Sequence, residues 1–505
     1  MHFRFHRSDR LPRLAWCAIL EHGSDAVDVH HGPWVETRSE FFVEGAWDGP
    51  FEDGRFLDAL ALMGTGARLG SNEVLFATPC HVLERLFTVR VSCRLFVSPS
   101  LAFVLAASGM ELDPAYIPYQ ADLLRMIRRR QYHHGSIPAA NGHSVCVHHY
   151  ANLRVGPDLT VRVEPKKGPP DFGSFPEYRD FLVSRFRRVV ENAGAPTRSA
   201  RYEPISMLST GYDSPACTVL AMEAGCREAV TFRTARSDWG GEQPVDSGRP
   251  IAERLGLAVQ EFERLEALKQ SDFPEAEFVA AGDLGQDFEI AALAHLLPGR
   301  LVVVGYHGDV VWDVNLKKVE RDIHRYEAGG CCWTDFRFRT GFILAPLPFI
   351  GCLSHPSIQR ISAAPEMAPW RVGGRYDRPI PRRLVEEKGV AREMFGQQKK
   401  SISILLNRHD AMLDRMTPAS AEAFEAYYQA NRKRRSTLRQ AIYHLVFQVH
   451  RVSFPLLTRI NSVLYQLHIP WYLPSLVPSR FAQCPGRPSF LVHWGLRTLK
   501  DRYQI

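Results

Sequence analysis

Ser209-Thr210-Gly211-Tyr212-Asp213-Ser214 brings hydroxyls, a glycine and a carboxylate together in one short stretch. The apolar run 205–208 precedes it, and Pro215 opens an Ala- and Leu-rich segment that runs to 224. This spacing predicts strand, tight loop and helix, because proline suits the first helical position, where its missing N–H would be unpaired anyway. The free N–H groups of a first helical turn, together with the helix dipole, attract an anion. Ser209 and Ser214 add hydroxyl donors, and Asp213 adds a carboxylate able to hold a magnesium ion bound to the same phosphates. A plain strand-to-helix turn uses the same residue types, so the surrounding chain has to decide.

From about residue 172 the pattern alternates. Strand-like runs at 205–208, 229–232, 258–262 and 301–304 are separated by helix-like segments at 177–192, 215–225, 246–255 and 288–297. Such alternation predicts an α/β unit, a parallel sheet with helices on both faces. Ligands of these sheets bind at the carboxyl ends of the strands. Two loops fall there: the one after Leu208, and Gly305-Tyr306-His307-Gly308-Asp309 after Val304. Asp213 and Asp309 at one sheet edge could share one metal–triphosphate complex.

Residues 1–170 read as mostly β, with short apolar runs at 16–20, 74–77, 86–91, 93–97 and 144–148 between Gly, Asp and Pro. Helices are expected at 98–106 and 114–130. The stretch Pro165-Lys166-Lys167-Gly168-Pro169-Pro170 is the expected domain boundary. Residues 335–405 look mainly helical and loop-like, and 406–505 read as a helical extension rich in Arg, Leu and aromatics. His444 to His450 reads as a partly buried helix, and Trp471-Tyr472-Leu473 marks a possible peripheral membrane contact.

At 505 residues the chain exceeds the size at which single cores stop growing, so two or three domains are expected. Its 45% apolar and 23% charged residues are ordinary for a globular protein, and the net charge of +7 is mild for this length. The runs Arg128-Arg129-Arg130 and Arg432-Lys433-Arg434-Arg435 read first as solvated helix faces. The ten cysteines include no CxxC pair, only the neighbours Cys331-Cys332, a pattern that excludes a zinc or disulfide framework and fits a reducing compartment. No signal-peptide core follows Met1-His2-Phe3-Arg4, and no apolar run reaches the ~18 residues of a membrane span. A cytoplasmic protein is expected.

The combination resembles the asparagine-synthetase-like ATP pyrophosphatases. Ser209 to Ser214 is similar to their SGGxDS pyrophosphate loop, and Gly305 to Asp309 to their second loop, which ends in a metal-binding aspartate. Arg378-Pro379-Ile380-Pro381-Arg382-Arg383, continuing to Lys399-Lys400, resembles the late basic segment that delivers a lysine to the phosphates. The likeness covers roughly 175–405 and extends weakly back to Phe96-Val97-Ser98-Pro99-Ser100-Leu101 and 137–143, which resemble part of a glutaminase-like domain. It implies ATP and Mg2+ as cofactors. Ser209, Thr210, Gly211, Tyr212, Asp213, Ser214, Gly305 and Gly308 would bind ATP and its pyrophosphate, Asp213 and Asp309 the metal, and Lys399 or Lys400 the departing charge. Such enzymes activate a carboxylate at the α-phosphorus of ATP and transfer it to ammonia or an amine.

The departures from the family define further expectations. Its glutaminase half uses an N-terminal cysteine, whereas His2 follows Met1 here and the nearest cysteine is Cys17, so no glutamine hydrolysis is expected. Thr210 stands where glycine is commonest, which requires ordinary dihedrals at that position. Tyr306 and Val310 replace two glutamates of the second loop; Tyr306 or His307 could supply the lost proton transfer, with a structural His307 equally open. The expected activity is an AMP-forming carboxylate–amine ligase acting on a small-molecule or peptide acid. A catalytically silent nucleotide- or protein-binding relative is the alternative. Mild basicity and the missing catalytic CxxC speak against a nucleic-acid partner.

Overall fold

Strand Trp16–Glu21 turns Trp16, Ala18 and Leu20 toward one apolar core and Cys17 and Ile19 toward another, the two-residue alternation of a strand buried on both faces. It belongs to a seven-stranded sheet that is antiparallel except where His2–Arg7 runs parallel to Ala26–His31. A six-stranded antiparallel sheet lies against it. Phe42, Ala67 and Phe76 of the second sheet meet Trp16, Leu20 and Val97 of the first, and the outer faces of both sheets join a second, larger core. The computed structural model describes residues 1–128, 132–236, 244–269, 274–282, 287–316, 319–325, 328–374, 376–402, 413–434, 437–466, 473, 475–477 and 485–505.

The second half is built on a five-stranded sheet in which every pair is parallel. Glu203–Met207 is its middle strand, flanked by Glu228–Phe232 and then Ala258–Phe262 on one side. Arg300–Val304 and then Ile343–Pro346 lie on the other. The fold is therefore mixed α/β, with a mostly antiparallel N-terminal region and a parallel sheet behind it. The fifth strand is a correction to the helical and loop-like reading of 335–405. Ile343–Pro346 is four buried residues ending in proline, too short for a period to declare itself.

Other elements shift at their ends. The helix expected at 114–130 begins at Tyr119, after Pro118, because the residue before a proline disfavours helical dihedrals; Arg129 and Arg130 lie outside the described residues. The helix expected at 98–106 is Leu101–Ser108, started by Ser100, whose hydroxyl accepts the Phe103 N–H at 3.1 Å. The segment 246–255 contracts to Arg249–Arg254, and 288–297 forms the 3-10 turns Phe288–Leu293.

A buried charge cluster joins the two halves. Arg337, on helix Thr334–Thr340, donates to Glu44 at 2.6 Å and Glu84 at 2.7 Å, all three without solvent contact. Helix Leu491–Leu499 returns into the core, where Gly495 lets the backbone of helix Pro274–Ala280 approach; a Cβ there would sit 2.8 Å from the Ala280 nitrogen. No helix among the described residues is long and apolar enough to cross a membrane. Of the tail motif, Trp471 and Tyr472 lie outside the described residues.

Candidate active site

Strand order reverses beside Glu203–Met207. The chain leaves this strand toward Glu228–Phe232 on one side and later re-enters on the other at Arg300–Val304. Crossovers diverge at such a point and leave a crevice beyond the carboxyl ends of the two strands. The loops that follow those two strands meet there.

Two glycines set how closely they meet. A Cβ on Gly305 would lie 2.8 Å from the backbone carbonyl carbon and Cβ of Asp213, and one on Gly308 would lie 2.7 Å from the Asp213 carboxyl carbon. Any side chain at either position would push the second loop off the first. Asp213 opens helix Asp213–Glu223, where the dipole favours a negative charge. The N–H groups of Tyr212, Asp213 and Ser214 have no partner among the described residues. Inside the loop, the Ser209 N–H donates to Ser214 Oγ at 3.0 Å and the two hydroxyls pair at 2.8 Å.

Thr210 is absent from the residues with positive φ, so the β-branched substitution carries no backbone strain. Its hydroxyl donates to buried Asp246 at 2.6 Å, and its N–H donates to the same oxygen at 3.2 Å. Lys400 donates to the Thr210 hydroxyl at 3.0 Å and to the Val245 carbonyl at 2.6 Å. Lys400 thus braces the loop, while Lys399 is the exposed neighbour whose ammonium lies 3.5 Å from Asp309. Tyr212 is buried under the loop, its ring 4.7 Å from that of Tyr376 and its hydroxyl hydrogen-bonded by Arg382.

Both aspartates sit in a field of cations. One terminal guanidinium nitrogen of Arg378 donates to both oxygens of the Asp213 carboxylate, at 2.6 and 2.5 Å. Burial pushes the Asp213 carboxyl up, Arg378 pulls it down, Asp309 pushes it up again, and the net direction is upward. Burial also pushes Asp309 up, but Lys399, Arg378 and Arg325 outweigh it and hold Asp309 below the usual carboxylate range. Asp213 feels the charge of Asp309, and Arg378 and Lys399 act on both carboxylates. Among the described residues no cluster of three or more His, Cys, Asp or Glu converges on one point. Magnesium on polyphosphates needs only one or two protein carboxylates, so Asp213 and Asp309 fit that role, provided Arg378 yields part of Asp213.

Tyr306 and His307 turn into the interior. The Tyr306 hydroxyl donates to Asp287 at 2.9 Å, and burial followed by Asp287 raises its pKa well above the ordinary value. His307 adopts φ +78 and stacks on Phe349 at 4.4 Å. Burial and then the Arg325 charge push its pKa down to about 3. Neither side chain is hydrogen-bonded to Asp213 or Asp309, but His307 and Asp309 feel each other's charge. Cys17 is fully buried, and desolvation pushes the pKa of its thiol up.

Sequence reasoning overlooked Arg378 and Asp246. Arg378 stood inside the quoted basic segment, but nothing in its neighbours marks it as the partner of a residue 165 positions away. Asp246 was read as the start of a helix, whereas the isolated bridges Ser209 to Ser247 and Thr234 to Val245 bring it to the loop. A scan of family models and a search of curated proteins both find no match to this chain.

Proposed function

We propose that the chain is an ATP-dependent, AMP-forming carboxylate–amine ligase of the asparagine-synthetase-like kind, with a PP-loop type of parallel-sheet fold and no glutaminase activity of its own. The observation that carries this reading is the meeting of the 209–214 and 305–309 loops at the strand-order reversal, with Asp213, Asp309, Arg378 and Lys399 facing one another. ATP with magnesium would supply the activating phosphorus and the pyrophosphate leaving group. The chain's part is to hold and neutralise that leaving group. The free N–H groups of Tyr212, Asp213 and Ser214, with the helix dipole, suit phosphate oxygens. Arg378 and Lys399 add fixed positive charge in a partly buried crevice, where it is worth more than in water. Thr210, held by Asp246 and Lys400, keeps the loop from moving as charge develops.

The contact of Arg378 with both Asp213 oxygens favours a second reading, a nucleotide-binding protein that has lost turnover. The two differ in one assay. Full-length protein incubated with ATP, magnesium and a panel of small and peptide acids plus ammonium should release pyrophosphate with at least one acid. Asp213→Asn should lower that release by on the order of 100- to 1,000-fold, the scale of losing one key charge-stabilising group. Tight nucleotide binding, with wild type and variant equally inert across the panel, would leave only the silent reading standing.

A further inference from the structure

Helix Thr437–Gln466 carries 30 residues, about 45 Å at ~1.5 Å per residue. Leu438, Ile442, Leu445, Val449, Val452, Leu456, Ile460 and Val463 are all exposed, Leu438 and Val452 by more than 70%. At ~100° per residue these eight positions fall within an arc of about 80°, a continuous apolar stripe along the whole helix. Along the first half of the helix the stripe faces away from the protein, because Tyr443 and Phe447, about half a turn round, are buried at 7% and 6% exposure; farther along, Phe454 on that same side is 50% exposed. A solvent-facing stripe of this length needs a cover.

Charge identifies the cover. Between Glu425 and Asp501 the chain has no Asp or Glu but eleven Lys and Arg. Arg451 and Arg459 are exposed on the same helix, and Arg432 and Lys433 are exposed in the 3-10 turn Arg432–Arg434 that precedes it. A second copy laid on the stripe would bring arginine against arginine with no carboxylate to compensate, and Pro455 interrupts the straight run that a paired coil would use. A surface of anionic lipid headgroups answers both features at once, taking the apolar stripe below the headgroups and the arginines among them. We propose that helix Thr437–Gln466 is an interfacial helix that docks the protein on anionic membranes, lying in the surface rather than crossing it.

Vesicle sedimentation with the full-length protein tests this. The protein should pellet with vesicles of mixed phosphatidylglycerol and phosphatidylcholine, release at high salt, and stay in solution with pure phosphatidylcholine. Leu445→Asp with Val452→Asp, both at exposed sites, should abolish pelleting while circular dichroism stays unchanged. Arg451→Gln and Arg459→Gln should weaken it about fivefold each. Equal pelleting with neutral vesicles overturns the charge argument and with it the proposal. Absence of pelleting, with a concentration-dependent dimer that the double aspartate variant dissolves, assigns the stripe to a second copy instead.

Discussion

At the scale of single residues, the Thr210 hydroxyl sits between Asp246 and Lys400 and so braces the loop. Thr210→Val keeps the shape but leaves the buried Asp246 carboxylate without its hydroxyl donor. The Thr210 N–H bond to Asp246 remains, so urea unfolding should show a loss of about 1.5–3 kcal/mol, the scale of one hydrogen bond to a charged group. His307 supports a prediction about pH. Its folded pKa is pushed down to about 3 by burial first and Arg325 second, while the unfolded chain titrates near 6.5. Below pH 6.5 the unfolded state therefore binds a proton that the folded state refuses, and stability falls with pH until the folded pKa is reached. His307→Asn suits the positive φ and removes this term. The stability gap between wild type and variant should then shift in favour of the variant as pH falls from 6.5 toward 3, measured by denaturant titration at each pH. A gap independent of pH would mean that the ring is not buried as described.

At the scale of elements, the close approach of the two loops is the feature most sensitive to mutation. Gly308→Ala places a methyl 2.7 Å from the Asp213 carboxyl carbon, and one of the two loops has to give way. The expected result is a loss of tenfold or more in apparent ATP affinity with about 1–3 kcal/mol of destabilisation, the usual range for overpacking. Calorimetric titration and urea unfolding read the two effects separately. The elements that frame this contact were legible in the sequence because each carries its own local signal. Ala258–Phe262 has the expected bounds and the middle strand lies within two residues of its own, while helix Asp213–Glu223 starts two residues before Pro215, which the sequence placed at its first position. What stayed hidden depends on contacts between distant segments. Ile343–Pro346 becomes a strand only because Arg300–Val304 offers it an edge, and Arg378 reaches Asp213 only after the sheet has assembled. Tyr306 and His307 were drawn toward proton transfer by their chemistry, whereas packing against Asp287 and Phe349 decides what they touch.

At the scale of the whole molecule, the N-terminal sheets and the parallel sheet are held together by Arg337 between Glu44 and Glu84. Arg337→Met strands two buried carboxylates and should cost about 3–5 kcal/mol, read as a lower midpoint of denaturant unfolding. Burial pushes Glu44 up to about 7 even with Arg337 beside it, so the variant should regain part of its loss in mild acid, where Glu44 takes up a proton. The N-terminal half is thus packed against the second half through a buried charge cluster. The central claim concerns the crevice itself, and one measurement reaches it without knowledge of the acid or the amine. Calorimetric titration of the full chain with ATP and magnesium should give saturable one-site binding that weakens at least tenfold in Gly308→Ala and again in Lys399→Met. Absence of binding to the wild type, or equal binding by all three proteins, contradicts the assignment of the loops to a nucleotide.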